Sequence, residues 1–379
     1  MNWQTAHDAY PANERFIWMN NAGTTPPGRH VIERMTKHFA RLGTHGPEQM
    51  EPSLPLVSRR IKGHLASLLG ARPEDIALVH NTAEGMTMLS LGLSLQPGDE
   101  ILLLENEYPS NVYPWEHWQT RGVTLTFVPQ SRTPEEFLQH FRERLSPRTR
   151  AVALSMVHWC TGMPLPVQAI AELCHERGIF FALDGSQGVG QLPLDFAKCA
   201  PMALCFSAWK WLLGPLGLGV LVADPKTVAS LSSPFKGTDS VKNPASYLPY
   251  QTELKETAER YTYSTSNTND WVYFDESLRF LSELGASAIY ERIRALATRL
   301  WKPLHAAGFV SGYDHGDEPL SGILCVSKPG VDLVKLTEAL VENGVVARLR
   351  LGRIRLAPHV YLLEEQIDRV SSLLIEHAK

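Results

Sequence analysis

The sequence predicts an α/β fold, with a large domain built on a mostly parallel sheet and a small C-terminal α+β domain. Between residues 76 and 206, apolar runs of strand length alternate with helical patterns. Repeated β-α units of this kind form parallel sheets with right-handed crossovers. From about residue 270, helical patterns give way to the order strand-helix-strand-strand-helix, which indicates a compact α+β unit. We therefore divide the chain into a large domain at 1–269, including the N-terminal segment, and a small domain at 270–379.

The length and composition fit two domains and argue against several classes of partner. The chain has 379 residues, of which 44% are hydrophobic and 20% are charged, enough to bury a substantial core. A net charge of −4 gives no electrostatic reason to expect nucleic acid or an anionic membrane. Residues 1–16 lack the basic start and apolar run of a signal peptide, and no stretch approaches the roughly 20 apolar residues of a membrane span. We expect a cytoplasmic protein.

The elements can be assigned in chain order from their periodicity. Helical patterns at 31–42 and 56–69 come first, and the second ends at Gly70, as a helix with a glycine C-cap would. An apolar strand at 75–80 then leads into another helix. Beyond it, strands at 101–104, 123–128, 151–156 and 179–183 alternate with helices at 134–145 and 167–177. In the small domain, helical patterns to 307 precede strands at 322–327, 345–349 and 353–357 and helices at 331–343 and 363–377.

The stretch at 205–221, CFSAWKWLLGPLGLGVL, carries the most informative lysine. An apolar strand at 202–206 leads Ser207 and Lys210 into a turn whose glycines and proline prevent a helix. A lysine held among apolar residues loses its proton readily, because desolvation disfavours the ammonium form, and the free amine can form a Schiff base with a carbonyl. The alternative is a lysine whose stem lies on an apolar surface and whose head reaches water.

Two further features favour the chemical interpretation of Lys210. The strand at 179–183 ends in Asp184, and a carboxylate at the end of a buried strand needs a cation or donor, such as a pyridinium nitrogen. Residues 81–85, NTAEG, begin a helix with small and hydroxyl residues, which is how a protein presents backbone N–H groups to a phosphate. A phosphate cradle, a strand-end aspartate and a buried lysine are together what pyridoxal 5′-phosphate requires.

These motifs carry a resemblance to a known family. The segments HNTAEG, LDGSQGVGQLPLD and SAWKWLLGPLGLG resemble the class V aminotransferases, which are fold-type I pyridoxal 5′-phosphate-dependent enzymes. The similarity is to the branch that contains cysteine desulfurases, selenocysteine lyases and isopenicillin N epimerases. It covers nearly the whole chain, from WMNNAGTTP at 18–26 to IRLAPHVY at 354–361. The resemblance implies the fold-type I architecture, an amino acid substrate and a homodimer.

The resemblance also implies the cofactor contacts. It makes Lys210 the lysine that forms the Schiff base, and it places Asp184 on the pyridine nitrogen and Gln187 on the phenolic oxygen. The implied phosphate ligands are Thr82, Ala83 and Ser207.

An aromatic ring and a second subunit complete the implied cofactor site. Tyr108 stands where relatives often stack a histidine on the pyridine ring, and a phenol with a pKa near 10 is a poorer proton shuttle than a histidine. Lys210 is therefore the expected main proton carrier. Thr265 resembles the element through which one subunit donates a hydroxyl to its neighbour's phosphate, which implies shared active sites in the homodimer. The alternative for Thr265 is an ordinary polar loop.

The substrate contacts are less determined. Arg355 aligns with the family's ligand for the α-carboxylate, and a guanidinium is the natural fork for that group. Arginines at 348, 350 and 353 either select a second acidic group or are solvent-exposed, and we expect exposure. Asn21 either contacts the substrate or tethers the N-terminal segment to the core, and both alternatives stay open.

The cysteines bear on the reaction. The chain has five cysteines, an odd number, and they form no CxxC motif. We therefore expect reduced thiols and neither disulfides nor a metal site. Cys160 lies in the loop VHWCTG, which lines the cofactor in the family, and its role stays open. Cysteine desulfurases carry a catalytic cysteine just before the carboxylate-binding arginine. Residues 345–355 contain no cysteine and leave no room for that loop, which disfavours persulfide-forming desulfurase activity.

An aminotransferase-type reaction at Cα of an amino acid is the predicted function. A β-elimination carbon–sulfur lyase acting on cysteine or a cysteine conjugate is the close alternative, since both reactions need one base. Epimerisation ranks third, because it requires a second acid that Tyr108 is poorly suited to provide. A degenerate relative without turnover is the non-catalytic alternative, and the joint presence of Lys210, Asp184, Gln187 and Arg355 argues against it.

Overall fold

The structure is a computed structural model that describes residues 2–47, 53–199 and 201–378. The strands in this part of the chain are β1 (Ile17–Trp18), β2 (Ile76–Val79), β3 (Glu100–Leu104), β4 (Thr124–Val128), β5 (Thr149–Ser155), β6 (Phe180–Asp184), β7 (Ala203–Ser207), β8 (Gly219–Ala223), β9 (Val310–Ser311), β10 (Leu324–Ser327), β11 (Val345–Val346), β12 (Arg348–Arg350) and β13 (Arg353–Leu356). The helices are α1 (Trp3–Asp8), α2 (Arg29–His45), α3 (Leu54–Leu69), α4 (Thr82–Gly92), α5 (Tyr113–Glu116), α6 (Pro134–Arg144), α7 (Val167–Glu176), α8 (Phe196–Cys199), α9 (Pro225–Ser230), α10 (Thr268–Leu284), α11 (Ala286–Ala306), α12 (Leu333–Glu342) and α13 (Glu364–His377).

The large sheet confirms the predicted mostly parallel architecture. Its strand order among the described residues is β2-β8-β7-β6-β5-β3-β4, and β8 alone runs antiparallel to its neighbours. The exception follows from the connection between β7 and β8, where glycines and a proline prevent a crossover helix. A parallel return needs a crossover of about a dozen residues or more, usually helical, so this strand returns antiparallel.

The strands of the large sheet are continuous apolar runs because both faces of the sheet are covered by other parts of the chain. In β6, Phe181 and Leu183 pack with α3 in one core cluster. The alternate residues Phe180 and Ala182 pack in a second cluster on the opposite face, together with side chains of α4. Side chains alternate between faces along a strand, so a strand between two helical layers has apolar residues at every position.

The C-terminal part confirms the predicted order of elements and refines one strand. An antiparallel sheet of order β12-β13-β10-β9 packs with α11, α12 and α13. The strand predicted at 345–349 is divided into β11 and β12 at Ala347. The division occurs because β11 pairs with β1 of the N-terminal segment, whereas β12 pairs with β13. These contacts cross the proposed boundary between residues 269 and 270, and that boundary stays a prediction.

The long helices have one buried face each. In α11 the buried residues include Ile289, Ile293, Leu296 and Leu300, which recur every three or four positions. This spacing is that of a surface helix with a single apolar stripe. No helix in the described ranges combines the length and the apolar character needed to cross a bilayer.

Candidate active site

The residues predicted for the active site lie at one edge of the large sheet. Asp184 is the last residue of β6, and Lys210 follows the end of β7 within the next turn. Helix α4 begins at Thr82, shortly after β2. Ligands of open α/β sheets bind beyond the carboxyl ends of the strands, which is where these three segments meet. The fold therefore assembles the lysine, the aspartate and the predicted phosphate cradle in one place.

Lys210 is buried at this edge. Burial lowers the pKa of its amine to about 8, although the carboxylate of Asp184 opposes the shift. The positive charge of Arg355 lowers the pKa further. An exposed lysine titrates near 10.4, so Lys210 has a much larger neutral fraction at pH 7 to 8. The neutral amine is the form that attacks a carbonyl or accepts a proton from carbon.

Asp184 is a buried carboxylate whose charge acts on this amine. One of its oxygens accepts a hydrogen bond of 2.8 Å from the backbone N–H of Ser186. Burial raises the pKa of Asp184, and the charge of Lys210 together with the bonds from Ser186 opposes that shift. A carboxylate in such a place is stabilised by a cation, and a protonated pyridine nitrogen supplies one.

The first turn of α4 forms a cradle for an anion. Asn81 caps the helix by accepting a bond of 2.9 Å from the N–H of Glu84. The Thr82 hydroxyl lies 2.9 Å from that of Ser186, and the Ser186 hydroxyl accepts a bond of 3.3 Å from the N–H of Ser207. Ser186, which the sequence did not single out, thus joins two of the predicted phosphate ligands.

An unpaired hydroxyl tests whether a phosphate fits this cradle. The Ser207 Oγ is buried, and the described residues provide it with no hydrogen-bond partner. A buried hydroxyl without a partner costs free energy, and a phosphate oxygen would supply one. Ala83 follows Thr82 in the same first turn, where backbone N–H groups are free to bind an anion. The group that the sequence implies therefore fits the residues present.

Gln187 follows Ser186 in the chain, and most of its amide is already hydrogen-bonded within the protein. Its Nε2 donates to the carbonyl of Ala22 at 2.8 Å, and its Oε1 accepts from the indole N–H of Trp211 at 3.0 Å. One N–H of the amide is left for a further acceptor. Contact with the phenolic oxygen of a cofactor stays a prediction for this residue.

Tyr108 forms the outer side of the site. Its ring centroid lies 5.5 Å from the Nζ of Lys210. The ring packs edge-on against Trp159, with 5.5 Å between the centroids and 70° between the planes. The indole N–H of Trp159 donates to the carbonyl of Asn106 at 2.8 Å, which holds this wall in position. The aromatic side chain is 44% exposed, so it is free to pack on a flat ligand.

Arg355 reaches the site from β13, and Asn20 lies beside it. The guanidinium donates to the carbonyl of Trp159 at 3.1 Å and to the Oδ1 of Asn20 at 3.4 Å. The predicted contact Asn21 is instead occupied by the protein. Its Nδ2 donates to the carbonyls of Trp18 and Ala357, and its Oδ1 accepts from the Tyr361 hydroxyl. This arrangement favours the tether alternative for Asn21.

Glu107 is a site residue that the sequence did not predict. It is 7% exposed, and its two oxygens accept backbone N–H bonds from Tyr108 at 2.7 Å and Ser155 at 3.0 Å. Burial, followed by the nearby charge of Asp184, raises the pKa of its carboxyl group to about 7. The site therefore holds a second buried carboxyl group, which the charge of Asp184 influences and which titrates near neutral pH.

The hairpin that ends at Arg355 is short. Arg350 pairs with Arg353 across a two-residue turn of Leu351 and Gly352, whose φ angles of 44° and 71° are those of a tight hairpin turn. Cys160 is buried against this hairpin, and its thiol lies 3.6 Å from the carbonyl oxygen of Arg350.

The remaining predicted site residue lies on the surface. Thr265 is exposed between the turn at Ala258–Tyr261 and α10. Nearby, the Tyr263 hydroxyl donates to Glu84 in the first turn of α4 at 3.3 Å. The donation of a hydroxyl by Thr265 to a neighbouring subunit stays a prediction.

Comparisons with known proteins identify the family of this chain. A family model described as Aminotransferase class-V matches residues 17–372. The isopenicillin N epimerase of Streptomyces clavuligerus is 28% identical, over 98% of this chain and 98% of its own. A probable cysteine desulfurase of Pyrococcus abyssi is 24% identical, over 97% of this chain and 96% of its own.

Solved structures support the fold. The cystine C–S lyase C-DES, solved with its product cysteine persulfide, superposes with a TM-score of 0.90 at 22% identity and covers 98% of this chain and 100% of its own. The cysteine desulfurase CsdA from Escherichia coli gives a TM-score of 0.88 at 20% identity and covers 100% of this chain and 98% of its own. At these identities the similarity establishes the fold alone.

Proposed function

The chain belongs to the class V aminotransferase family, and from that premise we propose that it transfers the amino group of an amino acid. It is a pyridoxal 5′-phosphate-dependent enzyme. The observation that carries the proposed reaction is the amine of Lys210, whose pKa burial holds near 8 beside the carboxylate of Asp184. Transamination needs two proton transfers that one amine can carry out in turn, and this amine is suited to both.

The binding residues have distinct tasks in this proposal. The hydroxyls of Thr82 and Ser207 and the backbone of Ala83 hold the phosphate, and Asp184 holds a proton at the pyridine nitrogen. Gln187 donates its remaining N–H to the phenolic oxygen. When bound there, pyridoxal 5′-phosphate supplies an electron sink for negative charge at Cα of the amino acid.

Three side chains orient the substrate and move its proton. The guanidinium of Arg355 binds the α-carboxylate in a fork of two N–H groups. Lys210 then takes the proton from Cα, since burial leaves much of its amine neutral near pH 8. The ring of Tyr108 packs over the site and limits the access of water. Because its amine is the main proton carrier, substitution of Lys210 abolishes turnover in this account.

We include in the proposal that the enzyme is a homodimer with shared active sites. Thr265 is exposed in the single chain and is therefore available to a second subunit. The arrangement predicts that a Thr265→Ala subunit weakens the phosphate site of its neighbour while leaving its own intact.

A carbon–sulfur lyase reaction is the second candidate. It begins with the same proton transfer to Lys210, and the relative from Pyrococcus abyssi is described as a probable cysteine desulfurase. A persulfide-forming desulfurase is disfavoured, because the turn of Leu351 and Gly352 is too short to carry a mobile cysteine. Cys160 does not replace it, since its thiol is buried against the hairpin. Epimerisation stays third in rank.

A single-turnover survey tests the proposal. The holoenzyme is mixed with each of a panel of amino acids and cysteine conjugates, and the products are identified by mass spectrometry. Transamination predicts one equivalent of pyridoxamine phosphate and of the matching keto acid for one class of donor. Lys210→Ala should form neither, and Lys335→Ala, at an exposed lysine, should behave as the parent. Catalytic release of pyruvate, ammonia and a thiol would instead establish the lyase.

A further inference from the structure

Four arginines project from one side of the hairpin formed by β12 and β13. Arg348 pairs directly with Arg355, and Arg350 pairs directly with Arg353. Residues directly opposite each other in an antiparallel pair lie on the same face, as do alternate residues along each strand. We call this set of four side chains the arginine face.

The arginine face has no carboxylate partner within the protein as described. The ion pairs among residues 2–47, 53–199 and 201–378 include none of its four members. Within the described ranges, the guanidinium groups of Arg348 and Arg350 donate only to the carbonyls of the residues before them. The Nε atoms of Arg353 and Arg355 are buried, and no acceptor for them occurs in the described chain. Like charges placed opposite each other on a sheet are destabilising, and a bound anion would offset that repulsion.

The arginine face is part of the active site. Its innermost member, Arg355, is 4% exposed and lowers the pKa of the Lys210 amine. Burial is the main cause that lowers the pKa of the Arg355 guanidinium itself, and the charge of Arg350 lowers it further. Arg353 is half-buried and Arg350 is exposed, so along the arginine face the positive charge extends from the buried Arg355 to the surface.

Resting on the proposed function, we propose that the substrate is an α-amino acid whose side chain ends in a carboxylate. Arg355 binds the α-carboxylate, and Arg353 with Arg350 binds the carboxylate of the side chain. Two residues along a strand span about 6.6 Å, which suits the two ends of a short dicarboxylic amino acid. Guanidinium forks bind carboxylates through paired, charge-assisted hydrogen bonds. This assignment replaces the expectation that the outer arginines are only solvated.

Calorimetric titration of the holoenzyme with two unreactive probes tests the assignment. Glutarate carries a carboxylate at both ends, whereas valerate has the same carbon chain and only one. We expect glutarate to bind at least about tenfold more tightly than valerate, since one charge-assisted contact contributes about that factor. Equal affinity for the two probes would overturn the proposal.

Variants locate the second carboxylate. Arg353→Gln should weaken glutarate binding by about 10- to 100-fold and leave valerate binding nearly unchanged. Arg350 is exposed, and Arg350→Gln should show the same selective loss of glutarate binding to a smaller degree. This variant provides the test if Arg353→Gln fails to fold. Arg369→Gln, at an exposed arginine of α13, is the matched control and should bind both probes as the parent does. Equal losses for glutarate and valerate in both variants would overturn the assignment.

The binding readout separates this inference from the proposed reaction. A preference for glutarate that persists when no amino acid is transaminated would refute the reaction and support the substrate class. Transamination of neutral amino acids, without any preference for glutarate, would support the reaction and refute the substrate class.

Discussion

Replacement of Glu107 by glutamine tests the electrostatics of the site most quantitatively. Burial and the charge of Asp184 raise the pKa of the Glu107 carboxyl group from its ordinary 4.5 to about 7. An acid whose pKa is raised on folding contributes stability that is fully present below pH 4.5 and is lost as the pH rises through 7. At 1.36 kcal/mol per pH unit, the loss is about 3 kcal/mol on this order-of-magnitude scale.

A glutamine at position 107 removes this titration and disturbs one hydrogen bond. The wild-type carboxyl group accepts two backbone N–H bonds, and an amide has one oxygen, so Glu107→Gln leaves one N–H without its acceptor. That loss costs about 1–3 kcal/mol and does not depend on pH. The variant should therefore be less stable than the wild type at pH 5. Between pH 5 and pH 8 its free energy of unfolding should rise by about 3 kcal/mol relative to that of the wild type.

Urea unfolding of the cofactor-free protein at pH 5 and pH 8 measures this difference. Tryptophan fluorescence reports the unfolding transition, and Glu105→Gln serves as the control because Glu105 is exposed and lies two positions before Glu107 in the sequence. A stability difference between Glu107→Gln and the wild type that is the same at both pH values would refute the reasoning.

Three further perturbations follow from the same structure. Ser207→Ala removes a buried hydroxyl that has no hydrogen-bond partner in the described part of the chain, so pyridoxal 5′-phosphate should bind about tenfold more weakly in equilibrium dialysis. The cofactor-free protein should keep its urea midpoint. Burial lowers the pKa of His158 to about 4. The contribution of this group to the free energy of unfolding is fully present above pH 6.5 and should fall by about 3 kcal/mol as the pH drops through 4. In urea unfolding, His158→Gln should show a weaker dependence of stability on pH in this range. Gly219→Ala places a Cβ 2.8 Å from the Cα of Asn81, so thermal unfolding should show a loss of about 1–3 kcal/mol. Gly43→Ala in α2, where a Cβ meets no atom of the described residues within 4 Å, should not destabilise the protein.

The parts of the site that local sequence patterns encode could be predicted. The apolar strand and the glycine-rich turn around Lys210, the strand end at Asp184 and the small residues that begin α4 each leave a local signal. The structure brings these segments together at one edge of the sheet. The single antiparallel strand β8 follows from the same turn, since a connection without a helix cannot return the chain in parallel.

The parts that depend on distant segments could not be predicted. Glu107 precedes the predicted Tyr108, but its hydrogen bond from the N–H of Ser155 and the effect of the Asp184 charge on its pKa come from other strands. Asn20 and Asn21 are adjacent and identical in type, so only the packing of Tyr361 and Ala357 determines which one faces Arg355. The division of the strand at Ala347 likewise depends on its pairing with the N-terminal segment.

The central claim is that Lys210 is the reactive amine of a pyridoxal 5′-phosphate site. Borohydride reduction of the holoenzyme, followed by peptide mapping with mass spectrometry, measures directly which lysine is bonded to the cofactor. We expect the cofactor adduct on the peptide that contains Lys210, and Lys335→Ala should be labelled as the parent is. An adduct on a different lysine, or a holoenzyme that yields none, would contradict it.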